Sequence, residues 1–271
     1  MALLENAVFI TGGGQRIGAF LVERFLTEID CPVVFTYRTP RPRVDELVAL
    51  GAVAIQVDFM DKGVLPGLVK TIESHVGSLR CVIHNASLWW PDATTAMSAV
   101  SEATKSGESF ESGYGSGYEP GCESDFESSE KRLEALFQLH VKTPYLLNTA
   151  LRPLLNKSTS RLKDIISISD YSVERASSEH IAYLASKAAM QNMCKGFAKK
   201  FAPTIKVNDI APALIVFNES DSEDYKQKRL AQSALGIEPG EIVVWQAVQY
   251  LMNSPYTTGT ILPLEGGRSL L

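Results

Sequence analysis

The stretch AVFITGGGQRIG (7–18) decides how the rest of the chain is read. Five apolar or β-branched residues run into three glycines, and a helical pattern begins near Ile17. A glycine turn between a strand and a helix lets the backbone come close to a phosphate. The helix N-terminus adds free N–H groups and the positive end of its dipole. The spacing departs from the G-x-G-x-x-G fingerprint, because Ile17 stands at the final glycine's place. Arg16 stands near the tip of the turn. Such a turn can also serve packing alone, so the surrounding chain has to discriminate.

Further apolar runs follow at 32–37, 52–58, 79–85, 164–170, 205–211 and 260–264. They lack polar alternation, as strands buried on both faces do. Amphipathic segments near 16–29, 42–50, 64–76, 131–156, 181–202 and 240–253 fill the gaps. The repeating order predicts an α/β fold, a single Rossmann-like, doubly wound parallel sheet flanked by helices and spanning 1–271. A chain of 271 residues with 45% hydrophobic content has enough apolar surface for that core. One segment, about 98–130, breaks the pattern. Residues 101–130 are two-thirds Ser, Gly and Glu and hold seven Glu and one Asp against one Lys. This reads as a flexible insertion. Phe110, Tyr114 and Tyr118 within it are spaced by four, the minority reading being a partner-docking motif.

The net charge of −5 comes from that insertion and leaves the remainder near neutral, so no nucleic-acid footprint is expected. No run approaches the roughly 18 apolar residues of a membrane span, and MALLENAVFI lacks the basic region of a signal peptide. Cys31, Cys81, Cys122 and Cys194 form no C-x-x-C pair. Reduced thiols in a cytoplasmic protein, without a metal site, are the expectation.

Where an NAD-binding fold places an acid for the ribose 2′-hydroxyl, this chain reads Tyr37-Arg38-Thr39. Arg38 can pair with a 2′-phosphate and Thr39 can donate to it, which favours NADPH; the bland alternative is a solvated arginine. Asp58 and Asn85-Ala86-Ser87 sit at carboxyl ends of strands, where ligands bind in open sheets. Asp58 can receive the adenine amino group. Both Asp58 and Asn85 can equally cap the helices that follow. Tyr183 and Lys187, four apart in AYLASKAA, share one helix face. An ammonium favours the phenolate, which suits the tyrosine to proton transfer, although such pairs also occur by chance.

The glycine turn, HNAS (84–87), YxxxK (183–187) and GTILPLEGG (259–267) resemble the short-chain dehydrogenase/reductase family. The resemblance runs from residue 7 to about 268, the insertion excepted. It implies a nicotinamide cofactor, a homo-oligomer of two or four chains, Tyr183 as proton donor and Lys187 as the ribose ligand supporting it. It places Gly12, Gly14, Arg16 and Ile17 under the pyrophosphate, and Ala86, Ser87 and Pro212 beside the cofactor. Two departures are informative. Arg16 replaces the family's third glycine, and Asp170, thirteen residues before Tyr183, replaces its serine. Both changes resemble the pteridine reductase branch. That branch implies reduction of dihydropterins of the dihydromonapterin or dihydrobiopterin type, with weak dihydrofolate reduction because the ring is shared.

On this resemblance Tyr183, Lys187 and Asp170 are catalytic, and Arg16, Ser87, Trp89, Asp170 and Tyr183 touch the pterin. Arg16 is read as tolerated because its turn position needs no positive φ, the side chain projecting over the pyrophosphate towards the substrate. Trp89 is expected to stack on the substrate ring; Trp90 is read as core or interface. His140 stands where the family has an asparagine, and takes over support of Lys187 through a water. Residues 217–236 correspond to a substrate lid, with Glu219 and Asp221 read as solvated charges. The rivals are a ketone or quinone reductase on the same scaffold, and a catalytically silent NADPH-binding regulator docking through 101–130.

Overall fold

The computed structural model describes residues 2–92 and 125–271. Its sheet has seven parallel strands: β1 (Ala7–Thr11), β2 (Val33–Tyr37), β3 (Val53–Gln56), β4 (Leu79–His84), β5 (Asp164–Ile168), β6 (Lys206–Pro212) and β7 (Ile261–Leu264), in the order β3-β2-β1-β4-β5-β6-β7. The helices are α1 (Arg16–Glu28), α2 (Pro42–Ala49), α3 (Val64–His75), α4 (Asp125–Phe137), α5 (Thr143–Lys157), α6 (Ile181–Phe201), α7 (Glu223–Leu230) and α8 (Ile242–Asn253) among the described residues. The strand order reverses between β1 and β4, which opens a crevice at their carboxyl ends.

Period-two alternation in the central strands explains the two cores. Val8 and Ile10 of β1 pack with α1, α2 and α8 through Leu21, Phe25, Leu47 and Trp245. Ala7 and Phe9 point the other way, into Leu68, Leu151 and Phe197 of α3, α5 and α6. The inner strands β1, β5 and β6 are buried throughout, whereas the edge strands β3 and β7 are partly exposed.

The acidic segment was expected to run loosely to 130, but α4 already begins at Asp125. Once Leu133 and Leu136 supply apolar positions, the preceding turn can join their helix, and Leu136 is fully buried. Residues 98–124, with Phe110, Tyr114 and Tyr118, lie outside the described residues. Helix α7 was not foreseen. Its sequence EDYKQKRL has no buried residue, so there was no apolar periodicity to read. Ser222 caps it by accepting from the Tyr225 N–H at 3.3 Å.

Candidate active site

The glycine turn and the end of β4 are built against each other. Gly12 has φ +69°, and a Cβ there would lie 2.8 Å from the Ala86 Cα. Gly18, on the first turn of α1, passes so near the turn that a Cβ would sit 2.1 Å from the Gly12 carbonyl oxygen. The glycine that seats helix on strand is therefore Gly18, one position beyond Ile17, which packs on the core. Asn85 caps no helix. Its side-chain amide donates to the carbonyls of Gly12 at 2.8 Å and Thr11 at 3.2 Å, locking the turn from below. Asp58 caps nothing either: α3 starts at Val64 with Gly63 as its N-cap, and Asp58 Oδ1 accepts from the Met60 N–H at 2.9 Å. Ala86 receives its backbone tie from Thr11, whose Oγ1 accepts from its N–H at 3.1 Å.

Arg16 corrects an expectation. Its φ is +48°, so the position keeps the left-handed conformation that glycine would adopt without cost. For an arginine this conformation costs about 1–2 kcal/mol. The side chain is engaged by another part of the chain. It donates to Asn218 Oδ1 at 2.7 Å and to the Val216 carbonyl at 3.2 Å, in the segment after β6. Strain at the turn is offset by a tether to the 217–236 segment. Asp221 is also more than a solvated charge, since it accepts from the Asn218 N–H at 2.8 Å and shapes that tether.

At the end of β2, Tyr37 is half-buried beside Gly14, whose Cβ would stand 2.9 Å from the Tyr37 Cβ. Arg38 and Thr39 are exposed, and the Arg38 guanidinium meets no carboxylate among the described residues. With a glycine cradle, a helix N-terminus and a cation in place of an acid, these residues fit a dinucleotide carrying a 2′-phosphate.

The proton-handling groups meet at the ends of β5 and α6. The Tyr183 hydroxyl donates to Asp170 Oδ2 at 3.0 Å, and Asp170 Oδ1 accepts from the Ser172 N–H at 2.7 Å. Asp170, and not Tyr171, therefore faces the phenol. Tyr183 is 6% exposed and Lys187 1%. The ammonium lies 5.7 Å from the Tyr183 ring centroid and donates to the Ile168 carbonyl at 2.9 Å. Burial lowers Lys187 to about 8, with Asp170 and Asp209 pulling the other way. Asp209 on β6 was missed from sequence because a lone acid in IKVNDIA carries no signal. It accepts from Ser169 Oγ, and burial raises it to about 8 against the pull of Ser169 and Lys187. Gln191, one turn beyond Lys187, donates to Ser169 Oγ at 3.0 Å.

His140 has both ring nitrogens committed to protein partners, the structural hydrogen-bonding role common for a helix-borne histidine. It sits on a π-turn, Gln138–Lys142, fully buried. Ser186 Oγ donates to the Tyr183 carbonyl at 2.7 Å and so accepts from His140 Nδ1–H at 2.8 Å. Nε2 then accepts from Ser87 Oγ at 3.0 Å and the Leu88 N–H at 3.3 Å. This is a neutral imidazole of one tautomer, and burial, then the Lys187 charge, hold it well below the usual range. It ties the strand-end loop carrying Ser87 to the helix carrying Tyr183.

Trp89 is 55% exposed and lies against His180, ring centroids 4.6 Å apart. Trp90 packs on Leu136, Tyr183 and Leu184, the core role read for it. His84 is a core histidine, bonded through Nε2 to Asn148 Oδ1 at 2.7 Å. Pro212 ends β6, and the next N–H, of Ala213, donates to the Leu264 carbonyl at 2.9 Å.

With that geometry in place, the comparisons are decisive at the level of family. The short chain dehydrogenase model matches residues 6–109, and the enoyl-(acyl carrier protein) reductase model matches 117–269. The chain belongs to the short-chain dehydrogenase/reductase family, whose members are nicotinamide-dependent oxidoreductases. Within it, the chain is 41% identical to the dihydromonapterin reductase of Enterobacter sp. (strain 638) over 267 residues, 98% of each chain. It is 42% identical to that of Citrobacter koseri over 265 residues, 97% of this chain and 96% of the relative. The fold is shared with FolM alternative dihydrofolate reductase 1 from Brucella canis, complexed with NADP: TM-score 0.77, 23% identity, 99% of this chain and 96% of that one.

Proposed function

We propose that the protein is an NADPH-dependent reductase of dihydropterins of the dihydromonapterin or dihydrobiopterin type, forming tetrahydropterins, with weaker activity on dihydrofolate. The observation that carries this reading is the 3.0 Å hydrogen bond from Tyr183 to Asp170. Reducing a C=N bond needs a proton at nitrogen, and a phenol joined to a carboxylate can hold and pass one. A serine at 170 would instead offer a hydroxyl dipole, the equipment of the ketone-reducing rival.

Bound NADPH supplies the hydride. The Gly12–Ile17 turn and the α1 N-terminus hold its pyrophosphate, Arg38 and Thr39 its 2′-phosphate, and Asp58 its adenine edge. Lys187 holds the ribose and presents its charge to Tyr183. Ala86, Ser87 and Pro212 line the nicotinamide end, and Trp89 and Arg16 flank the pterin. Among the described residues no helix is long and apolar enough to cross a membrane. Buried, unpaired Cys31, Cys81 and Cys194 support a cytoplasmic location. A homo-oligomer of two or four chains is part of this reading, and light scattering of the purified protein tests it.

The test of activity follows NADPH oxidation with dihydromonapterin, dihydrobiopterin and dihydrofolate, then repeats it with NADH. Turnover of a dihydropterin with NADPH, little with NADH, and a Tyr183→Phe variant that binds NADPH but turns over about 10³-fold more slowly are expected. Tight NADPH binding without pterin turnover overturns the assignment.

A further inference from the structure

At the carboxyl ends of β6 and β7, the segments that follow these strands and the end of α7 enclose a cavity of about 200 Å³, and the charge of Asp170 acts on its Arg268. Leu214, Leu235, Ile237 and Val243 give it apolar walls. Its charged lining is Arg229 and Arg268, separated by Gln232, with Glu265 beneath. Gln232 Oε1 accepts from Arg229 at 3.0 Å and from Arg268 at 2.6 Å. Arg175, at the end of the one-turn helix that starts beside Asp170, donates to the Arg268 carbonyl at 3.1 Å.

Two guanidiniums thus share one neutral acceptor, and a third, that of Arg175, is held at the Arg268 carbonyl. Among the described residues none of them meets a carboxylate. Glu265 is already engaged, accepting from the Ser269 N–H at 2.8 Å and its hydroxyl at 3.2 Å. The Nε atoms of Arg229 and Arg268 are shielded from solvent without a hydrogen-bond partner. Burial, then the charges of Arg229 and Arg175, push Arg268 down from the arginine range, while Asp170 and Tyr171 draw it up. A like-charge cluster of this kind leaves a deficit of negative charge in the cavity, which Asp170 offsets only in part.

We propose that this cavity receives the anionic end of the substrate's side chain, a carboxylate or phosphate on an uncharged linker, with Arg229 and Arg268 as its ligands. The ring's identity rests on the dihydropterin reading; the anion's place rests on the arginines. Their planar forks suit both oxyanions, and the apolar walls suit the linker. A side chain bearing only hydroxyls, as in dihydrobiopterin, leaves the two arginines on Gln232, so the site acts on those dihydropterins that carry an anion.

The test compares kcat/KM for dihydrofolate, dihydroneopterin phosphate and uncharged dihydrobiopterin in the full-length protein and in Arg229→Gln and Arg268→Gln. Arg229 lies on a helix with no buried residue, so that variant keeps the fold. Loss of about tenfold or more for a charged substrate, through KM, with dihydrobiopterin unaffected, is expected. Whichever charged substrate responds identifies carboxylate or phosphate. Calorimetry on the NADPH-loaded protein, with p-aminobenzoylglutamate and with inorganic phosphate, reads the same site without turnover. Fragment binding lost in Arg268→Gln supports the cavity's role even if no dihydropterin is reduced. If dihydrobiopterin is reduced and neither variant changes the charged substrates or the fragments, the inference is overturned and the reductase reading stands.

Discussion

Two lysines, one on β6 and one on α6, are buried near aspartates, and they are used in opposite ways. Lys206, at the start of β6, pairs with Asp164 at 2.9 Å and donates to the carbonyls of Leu251 and, at 2.8 Å, Ser254. Two N–H groups donate to those carbonyls while the ammonium faces Asp164, and the lysine staples the end of α8 to the sheet. Lys187 lies at the opposite ends of the strands. It spends one N–H on Ile168, and Asp170 and Asp209 act on it without an ion pair. The same two residue types, both buried, make a fastener when the lysine is spent on carbonyls and an ion pair, and a poised cation when donors are held in reserve. Burial is offset only in part in the first case, where it raises Asp164 to about 6 against the pull of Lys206, and it lowers Lys187 to about 8 in the second.

Substituting each lysine breaks the comparison most directly. Lys187→Met should cut kcat/KM by about 10³-fold. It should also raise the melting temperature at neutral pH. The folded value of about 8 lies below the ordinary lysine range, so the cost of burying the cation is present below 8 and relieved as pH rises past it. Removing that cost at pH 7 gains on the order of 1–3 kcal/mol. Lys206→Met should do the reverse, losing about 3–5 kcal/mol because Asp164 is left buried and alone, with the activity of the remaining folded protein unchanged. Melts and steady-state rates on both variants decide it; parallel effects would erase the distinction.

A smaller effect sharpens the catalytic side. Asp170→Asn keeps the acceptor for Ser172 but carries no exchangeable acid proton, so kcat should fall about 10²-fold while the NADPH dissociation constant stays put. Smaller still, Arg38→Ala should raise KM for NADPH about tenfold and leave NADH unaffected. Equal changes with both cofactors would remove Arg38 from the 2′-phosphate.

The seven strands were legible to within two residues because their apolar runs are continuous, those of β1, β5 and β6 being buried throughout. The Tyr183–Asp170 contact was legible through the family resemblance, which sets a polar residue thirteen positions before the tyrosine, and the structure brings the two together. What escaped has a physical reason in each case. Arg16 keeps a left-handed φ because two hydrogen bonds to a segment some 200 positions away hold it there, which no local pattern records. His140 reaches Ser87 and Ser186 from a π-turn, a register that helical periodicity does not encode. Asp209, and the arginines at 175, 229 and 268, gain meaning only from neighbours on other elements.

The pH dependence of kcat/KM for a dihydropterin tests the central claim, that a buried, incompletely matched Lys187 serves the Tyr183–Asp170 proton donor. The rate constant should fall as pH rises through about 8, where Lys187 loses its charge. A profile that stays level up to the ordinary lysine value of about 10.4 would contradict it.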